Sequence, residues 1–430
     1  MSESLPNWDA YINVASLSDV GMRRSNNQDN FIVSLASTFE QWQRKGHLFI
    51  VADGMGAHAA GELASKLAVD HIPHIYSRLN DVGAPEALQK AVVSANSEIN
   101  RKGQMNEDFH NMGTTCSAMA LLPQGAVVAH IGDSRVYRLR NGVIEQLTFD
   151  HSLVWEMRAT GQLSAEDEAA GKIPRNVITR SLGPYPECKV DVEGPFPLQV
   201  GDVFMMCSDG LSGMVTDAEM GAILSTLPPR EAVRVLVDLA NLRGGPDNST
   251  VIVTRIIHQQ LATKPGAVAV AAPSSRTSSV PTAAWVMFGA LAFAGVLLGV
   301  LARSLVAGLI PGIPALGILI WIMIKALGDA SNNDGQGTGQ RHGRGPYTRS
   351  QSADGPQVTG SLANVIQQLQ EGARDQGWNI NWDRINEMVA EAVAAKEKND
   401  WPASIRAYGR SITFLMDQLR NQGGDSTIEY

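Results

Sequence analysis

Apolar and polar positions follow two periods over the first 257 residues. Short β-branched or aromatic runs bounded by turn residues predict strands at His47–Asp53, Cys116–Leu122, Ala126–Ile131, Arg135–Arg140, Val203–Ser208 and Thr250–Ile257. Apolar positions three and four apart predict helices around Ala59–Leu79, Pro85–Arg101 and Arg230–Leu242. Pro123-Gln124-Gly125 and Asn141-Gly142 join consecutive strands too tightly for a crossover helix, so the sheets are expected to be antiparallel. Residues 10–257 thus read as one α+β domain.

The pattern then changes. Residues 258–282 turn to Ala, Pro, Ser and Thr, the composition of a linker. Ala283–Ala302 and Ser304–Ile324 carry no charge over 20 and 21 residues, with Arg303 between them. At about 1.5 Å per residue, either run is long enough for a hydrocarbon core of about 30 Å. Residues 283–327 are therefore expected to form a transmembrane hairpin of two helices, with Pro311, Gly312 and Pro314 kinking the second or belonging to the turn. Lys264 and Arg276 before it, and Lys325, Arg341, Arg344 and Arg349 after it, place both flanks in the cytoplasm. The expected location is a membrane, with residues 10–257 and the C-terminal tail both cytoplasmic. Residues 328–360, rich in Gly, Asn, Ser and Gln, read as a flexible linker, and 361–420 as a small helical domain. In that domain Ile385, Met388, Val389 and Ala392 mark one apolar face, and Ile405, Tyr408, Ile412 and Leu415 another. Asn399-Asp400 breaks the two helices, and the run through Tyr408 resembles part of a tetratricopeptide unit that could take a protein partner; a plain helical bundle is the alternative.

Composition excludes several classes. A net charge of -8 gives no footprint for nucleic acid. Three cysteines, Cys116, Cys188 and Cys207, have neither CxxC pairing nor metal-ligand spacing, and Cys207 is followed by Ser-Asp-Gly rather than a phosphate-binding Cys-x5-Arg loop. The N-terminus lacks the basic and apolar regions of a signal peptide.

The chemistry lies in aspartates. Asp29 (in Asn-Gln-Asp-Asn), Asp53 (Val-Ala-Asp-Gly-Met-Gly), Asp133 (Ile-Gly-Asp-Ser-Arg), Asp209 (Cys-Ser-Asp-Gly-Leu) and Asp247 (Gly-Pro-Asp-Asn-Ser) each sit at a strand end or turn. One Asp-Gly alone is a turn signal. Several at the ends of apolar strands, where a lone carboxylate is costly, suggest ligands for Mg²⁺ or Mn²⁺. Two such ions could activate water and clamp a phosphoryl group, and Arg24 could present a planar fork to phosphate.

Asp19-x-Gly21-x-x-Arg24-x-x-Asn27-Gln28-Asp29, Asp53-Gly54-Met55-Gly56, Gly113-Thr114-Thr115, Gly132-Asp133-Ser134-Arg135, Ser208-Asp209-Gly210 and Asp247-Asn248-Ser249-Thr250 occur in one order. In order and spacing they resemble the bacterial form of the protein phosphatase 2C family, over about residues 12–257. The resemblance implies a four-layer αββα sandwich of two antiparallel sheets flanked by helices. It implies hydrolysis of phosphoserine and phosphothreonine in proteins by metal-activated water, without a phosphoenzyme, at two Mn²⁺ or Mg²⁺ ions. Asp53 would bridge the ions with the Gly54 carbonyl, Asp209 and Asp247 would complete the first, and Asp29 would support the second through water. Asp133, with Asp209, resembles a third site, and Arg24 would hold the substrate phosphate. Thr114 and Thr115 would be core residues beside the site. A membrane-bound serine/threonine kinase would be the opposing partner.

Two positions depart from the family pattern. Gln28 replaces a Glu found in many members and is a weaker ligand; Met55 stands where some eukaryotic members have a proposed acid histidine. His58 and His151 are read as structural, and 152–180 as the family's flap, with Glu166, Asp167 and Glu168 on a solvated face. The competing function is a membrane scaffold or phospho-signal sensor on a degenerate phosphatase fold, which would lack metal-dependent hydrolysis.

Overall fold

In the computed structural model the described residues are 7–56, 59–163, 174, 177–264, 342–352, 355–376 and 379–423. The transmembrane hairpin expected over 283–327 lies outside them, as does His58. Among the described residues no helix is long and apolar enough to cross a membrane.

Two antiparallel sheets form the centre. In chain order the elements are β1 (Ile12–Asp19), β2 (Asp29–Ser34), α1 (Phe39–Lys45), β3 (His47–Met55), α2 (Ala60–Arg78), α3 (Ala84–Met105), β4 (Gly113–Thr114), β5 (Cys116–Leu122), β6 (Gly125–Ile131), β7 (Arg135–Arg140), β8 (Val143–Gln146), α4 (Leu153–Ala159), β9 (Asp191–Phe196) and β10 (Val203–Cys207). There follow α5 (Asp209–Ser212), α6 (Asp217–Thr226), α7 (Pro229–Leu242), β11 (Ser249–Ile256), β12 (Thr348–Gln351), α8 (Gly355–Gln376), α9 (Trp382–Glu397) and α10 (Trp401–Gly423). One sheet runs β1-β11-β10-β7-β8-β12 and the other β2-β3-β5-β6-β9, with β4 beside β3.

Side-chain alternation builds the layers. Phe49 and Val51 of β3 meet Phe204, Met206 and Ile252 between the sheets. Leu48, Ile50 and Ala52 point the other way, into the core under α2 and α3. Met205 and Cys207 of β10 face the helices on the opposite side of the sandwich. Both faces of these strands are covered, so they read as unbroken apolar runs rather than alternating ones.

The C-terminal segment departs from the expected organisation. Within the stretch expected as a flexible linker, residues 342–352 are held to the sandwich: Gly345 N–H donates to Glu193 Oε2 at 2.9 Å, and β12 pairs with the edge of β8, Thr348 opposite Gln146. An edge strand has no compositional signature when its hydrogen bonds, not its side chains, hold it. Nor do α8–α10 form a separate domain; Val358, Leu362, Ile405, Tyr408 and Ile412 share one core with Leu236, Val237 and Val253. The break at Asn399-Asp400 is present, with Asn399 at φ 58° and the Asp400 carboxylate capping Ala403 N at 3.0 Å. Of this pair, α10 packs against α6, α7 and α8, and α9 packs against α10.

His47 gives this core a pH dependence. It is buried edge-on against Trp8, ring centroids 4.4 Å apart, and its Nδ1 accepts from Ala36 N at 3.1 Å. Burial lowers its pKa to about 4. The unfolded chain therefore takes up a proton first as pH falls below about 6.5, and stability is lost until about pH 4. In denaturant titrations the native chain should lose about 3 kcal/mol more than His47→Gln between pH 7 and 4. Equal losses would refute this.

Candidate metal centre and active site

Strand register brings the predicted aspartates together. Asp29 opens β2 directly opposite Asp53 in β3. Asp209 begins α5 just after β10, and Asp247 precedes β11, the neighbour of β10. Asp133 lies in the β6–β7 turn. They meet electrostatically at Asp53, which feels Asp29, Asp209, Asp133 and Asp247 as like charges.

Close backbone packing holds this arrangement. A Cβ on Gly54 would stand 2.1 Å from the Gly61 carbonyl oxygen and 2.6 Å from that of Gln28. A Cβ on Gly210 would stand 2.0 Å from the Asn248 carbonyl oxygen. The Asp-Gly pairs are therefore glycine-dependent approaches of backbone to backbone as well as turns. Asp53 N–H donates to Thr115 Oγ1 at 2.9 Å, and Thr115 N–H donates to the Asp53 carbonyl at 2.8 Å. Thr114 and Thr115 are thus supports beside the site, as expected.

Burial pushes the Asp29 carboxyl up to about 7, reinforced by the charges of Asp209 and Asp247 and opposed by its hydrogen bonds to Ser208 and Thr250. Burial also raises Asp133 to about 8 and drives Asp53 and Asp209 upward, with neighbouring carboxylates adding to each. Asp29 Oδ1, Asp133 Oδ1 and Asp209 Oδ1 are buried and accept no hydrogen bond. Arg24 Nη2 donates to Asp247 Oδ2 at 2.6 Å, and this bond raises the guanidinium pKa.

As placed, no three acidic, His or Cys side chains among the described residues converge enough to enclose one ion, and Asp247 is turned towards Arg24. The donor set nevertheless fits a hard divalent cation. It is all oxygen, it carries several unpaired carboxylates, and its accumulated negative charge is costly without a counter-ion. Gln28 lies beside Gly54, whose N–H donates to the Gln28 carbonyl at 3.1 Å.

Two residues quoted in the motifs, Ser208 and Asn248, had no role assigned from sequence and are supports of the site. Ser208 Oγ donates to Asp29 Oδ2 at 2.7 Å. Asn248 ties three segments, accepting from Gln28 N at 2.8 Å and donating to the carbonyls of Val20 at 2.9 Å and Asn26 at 3.0 Å. Each adjoins a motif aspartate, and that adjacency was the available signal. His151 is structural, as read: its Nδ1 accepts from Gly132 N at 3.0 Å and its Nε2 lies 2.9 Å from Asp191 Oδ2, bracing the turn that carries Asp133. Glu166, Asp167 and Glu168 lie outside the described residues.

Comparison with known proteins agrees with this geometry. The family described as Protein phosphatase 2C matches residues 23–237. A putative protein phosphatase 2C-type of Streptococcus pyogenes is 41% identical over 238 residues, covering 54% of this chain and 93% of that protein. The serine/threonine phosphatase stp of Listeria innocua is 39% identical, covering 54% and 92%. Among solved structures, the serine/threonine phosphatase of Mycobacterium tuberculosis is 33% identical with TM-score 0.51, covering 58% of this chain and all of that one. The serine/threonine phosphatase of S. agalactiae is 34% identical with TM-score 0.51, covering 57% and 100%. Six ordered motifs, the double sheet with Asp29 opposite Asp53, and relatives matched over nine-tenths of their length lead to one conclusion: the chain belongs to the protein phosphatase 2C family of metal-dependent protein serine/threonine phosphatases.

Proposed function

We propose that the five-aspartate cluster hydrolyses phosphoserine and phosphothreonine in proteins, with Asp53 at its centre and Arg24 as phosphate grip. The observation that carries this is three buried carboxylate oxygens without donors gathered around Asp53. Asp53, the Gly54 carbonyl, Asp209, Asp247, Asp29 and Asp133 are the groups that would hold the divalent ions. When bound, Mn²⁺ or Mg²⁺ supplies Lewis-acid chemistry, lowering the pKa of water and offsetting phosphate charge. The protein's part is to hold these oxygens on rigid strands: Ser208 orients Asp29, and Thr115 fixes the backbone of Asp53. The cysteines are poor nucleophiles: burial drives the Cys207 thiol up to about 12 and that of Cys188 up to about 11, and raises Cys116 as well.

Arg24 is half exposed at the rim, its side chain 51% accessible, and can turn from Asp247 to a phosphate. With a phosphothreonine peptide and saturating Mn²⁺, Arg24→Ala should raise KM about tenfold or more, with a smaller change in kcat, and Arg24→Lys should recover part of the loss. An unchanged KM would remove Arg24 from substrate binding. The wider reading is tested by Mn²⁺ calorimetry on the full chain and on Asp209→Asn. Undiminished affinity in the variant would exclude Asp209 as a ligand.

The uncharged runs of 20 and 21 residues support tethering through residues 283–327 in a bacterial inner membrane, catalytic domain and tail cytoplasmic, opposing a membrane-bound serine/threonine kinase. A periplasm-active reporter should give signal when fused after Arg303 and none after Tyr430; the reverse would overturn that topology. The helical tail would then be the surface offered to a protein partner.

A further inference from the structure

We propose that Arg420, on the last turns of α10, is a positioning residue for phosphate binding, acting through Asp19 on the loop that carries Arg24. The inference rests on the reading of Arg24 as the phosphate grip.

Asp19 is quoted in the family motif, yet its carboxylate does not join the other five. Its Oδ1 accepts from Gly21 N at 2.9 Å and from Asn241 Nδ2 at 2.9 Å. Its Oδ2 accepts from Arg420 Nη2 at 2.8 Å, across 401 positions of sequence. The two side chains are 14% and 13% exposed, so little water competes for the pair.

The loop after Asp19 has little freedom of its own. Gly21 stands at φ +82°, where a Cβ would meet the Asp247 carbonyl oxygen at 2.3 Å. Met22 N–H donates to the Gly245 carbonyl at 2.9 Å. Arg24 follows two residues later and reaches the Asp247 carboxylate. A shift of Asp19 therefore passes to Gly21, and from there to the guanidinium and to the segment bearing Asp247.

Arg420 also answers a second buried charge. Its Nη1 lies 2.9 Å from Asp238 Oδ1 on α7, a carboxylate with no exposed surface. Arg234, one turn earlier on α7, donates from Nε to Asp238 Oδ2 at 2.9 Å and also pairs with Asp417 of α10. The phosphatase domain thus presents two largely buried carboxylates, Asp19 and Asp238, joined by one guanidinium from the C-terminal helix. A buried charge is tolerated only when paired. Arg420 lies far beyond residues 12–257, over which the motifs resemble the family, so the pairing brings in a contact from outside that stretch. The C-terminal helix is on this reading a part of the active-site scaffold.

The test uses the purified full chain with saturating Mn²⁺, a phosphothreonine peptide as substrate and inorganic phosphate as competing ligand. Arg420→Ala should raise KM and the inhibition constant of phosphate about tenfold, with kcat changed less. Arg420→Lys should recover part of this, and Asp19→Asn should reproduce it without adding to it in the double variant. Arg410→Ala, whose pair with Glu391 on the same helical hairpin is exposed, should leave both constants unchanged. In an Arg24→Ala background, Arg420→Ala should add nothing. Unchanged constants in folded Arg420→Ala, with only a lower thermal midpoint, would reduce Arg420 to a fold-stabilising residue and overturn the inference. If Arg420→Ala does not fold, Asp19→Asn decides, unchanged constants again overturning it. A normal KM in Arg24→Ala beside a raised one in Arg420→Ala would instead overturn the Arg24 assignment, leaving the loop dependent on α10.

Discussion

Replacing Asp53 by asparagine should abolish Mn²⁺-dependent hydrolysis, lowering kcat by at least about 10³-fold, in a protein that folds and is more stable without metal than the native chain. Asp53 is the carboxylate on which the charges of Asp29, Asp209, Asp133 and Asp247 all act, and burial with that repulsion holds its pKa well above the ordinary carboxylate range. An amide of the same shape removes the like charge and keeps the backbone bonds to Thr115, since those use main-chain atoms of Asp53. Binding to the folded state alone stabilises it by mass action, so Mn²⁺ should raise the thermal midpoint of the native chain and barely move that of Asp53→Asn. Melting curves with and without Mn²⁺, beside a phosphopeptide assay, check both halves. A variant that retained its Mn²⁺ stabilisation would show that Asp53 is not the central ligand.

The second large effect is steric. Gly54→Ala should destabilise the fold by about 3 kcal/mol and reduce activity about 10²-fold in whatever protein remains folded. The added methyl would lie 2.1 Å from the Gly61 carbonyl oxygen and 2.6 Å from that of Gln28, and neither is a flexible side-chain end. Relief requires β3 to part from the start of α2 and from the Gln28 turn, which moves Asp53 and Asp29 relative to each other. Gly372→Ala in α8, where a Cβ meets nothing within 4 Å, should instead stabilise by about 0.5–1 kcal/mol. Denaturant titration separates the two, and a Gly54→Ala variant as stable as the native chain would contradict the close backbone approach.

Much of the site is legible in the amino-acid sequence. Asp29, Asp53, Asp133, Asp209 and Asp247 sit in short motifs at strand ends, and the strands themselves are apolar enough on both faces to stand out, as at Cys116–Leu122 and Val203–Cys207. Strands of weaker contrast were missed. β1 and β2 mix apolar residues with Ser, Asn and Asp because they are only partly covered. β9 contains a Gly194-Pro195 pair that reads as a turn.

The sequence by itself therefore determined the chemistry: which carboxylates are present, in what order, and that no cysteine or basic surface offers another mechanism. Ordered motifs carry that information because each needs a particular residue beside a particular glycine or strand end. Tertiary structure decided what depends on partners distant in the chain. It placed Asp29 across from Asp53, gave Ser208 and Asn248 their supporting roles, and recruited Thr348–Gln351 as an edge strand. It also turned Asp19 away from the other aspartates to meet Arg420, making the C-terminal helices part of the phosphatase core instead of an appendage. Local pattern records what a residue can do, whereas burial and charge pairing across hundreds of positions settle which of those possibilities the fold uses.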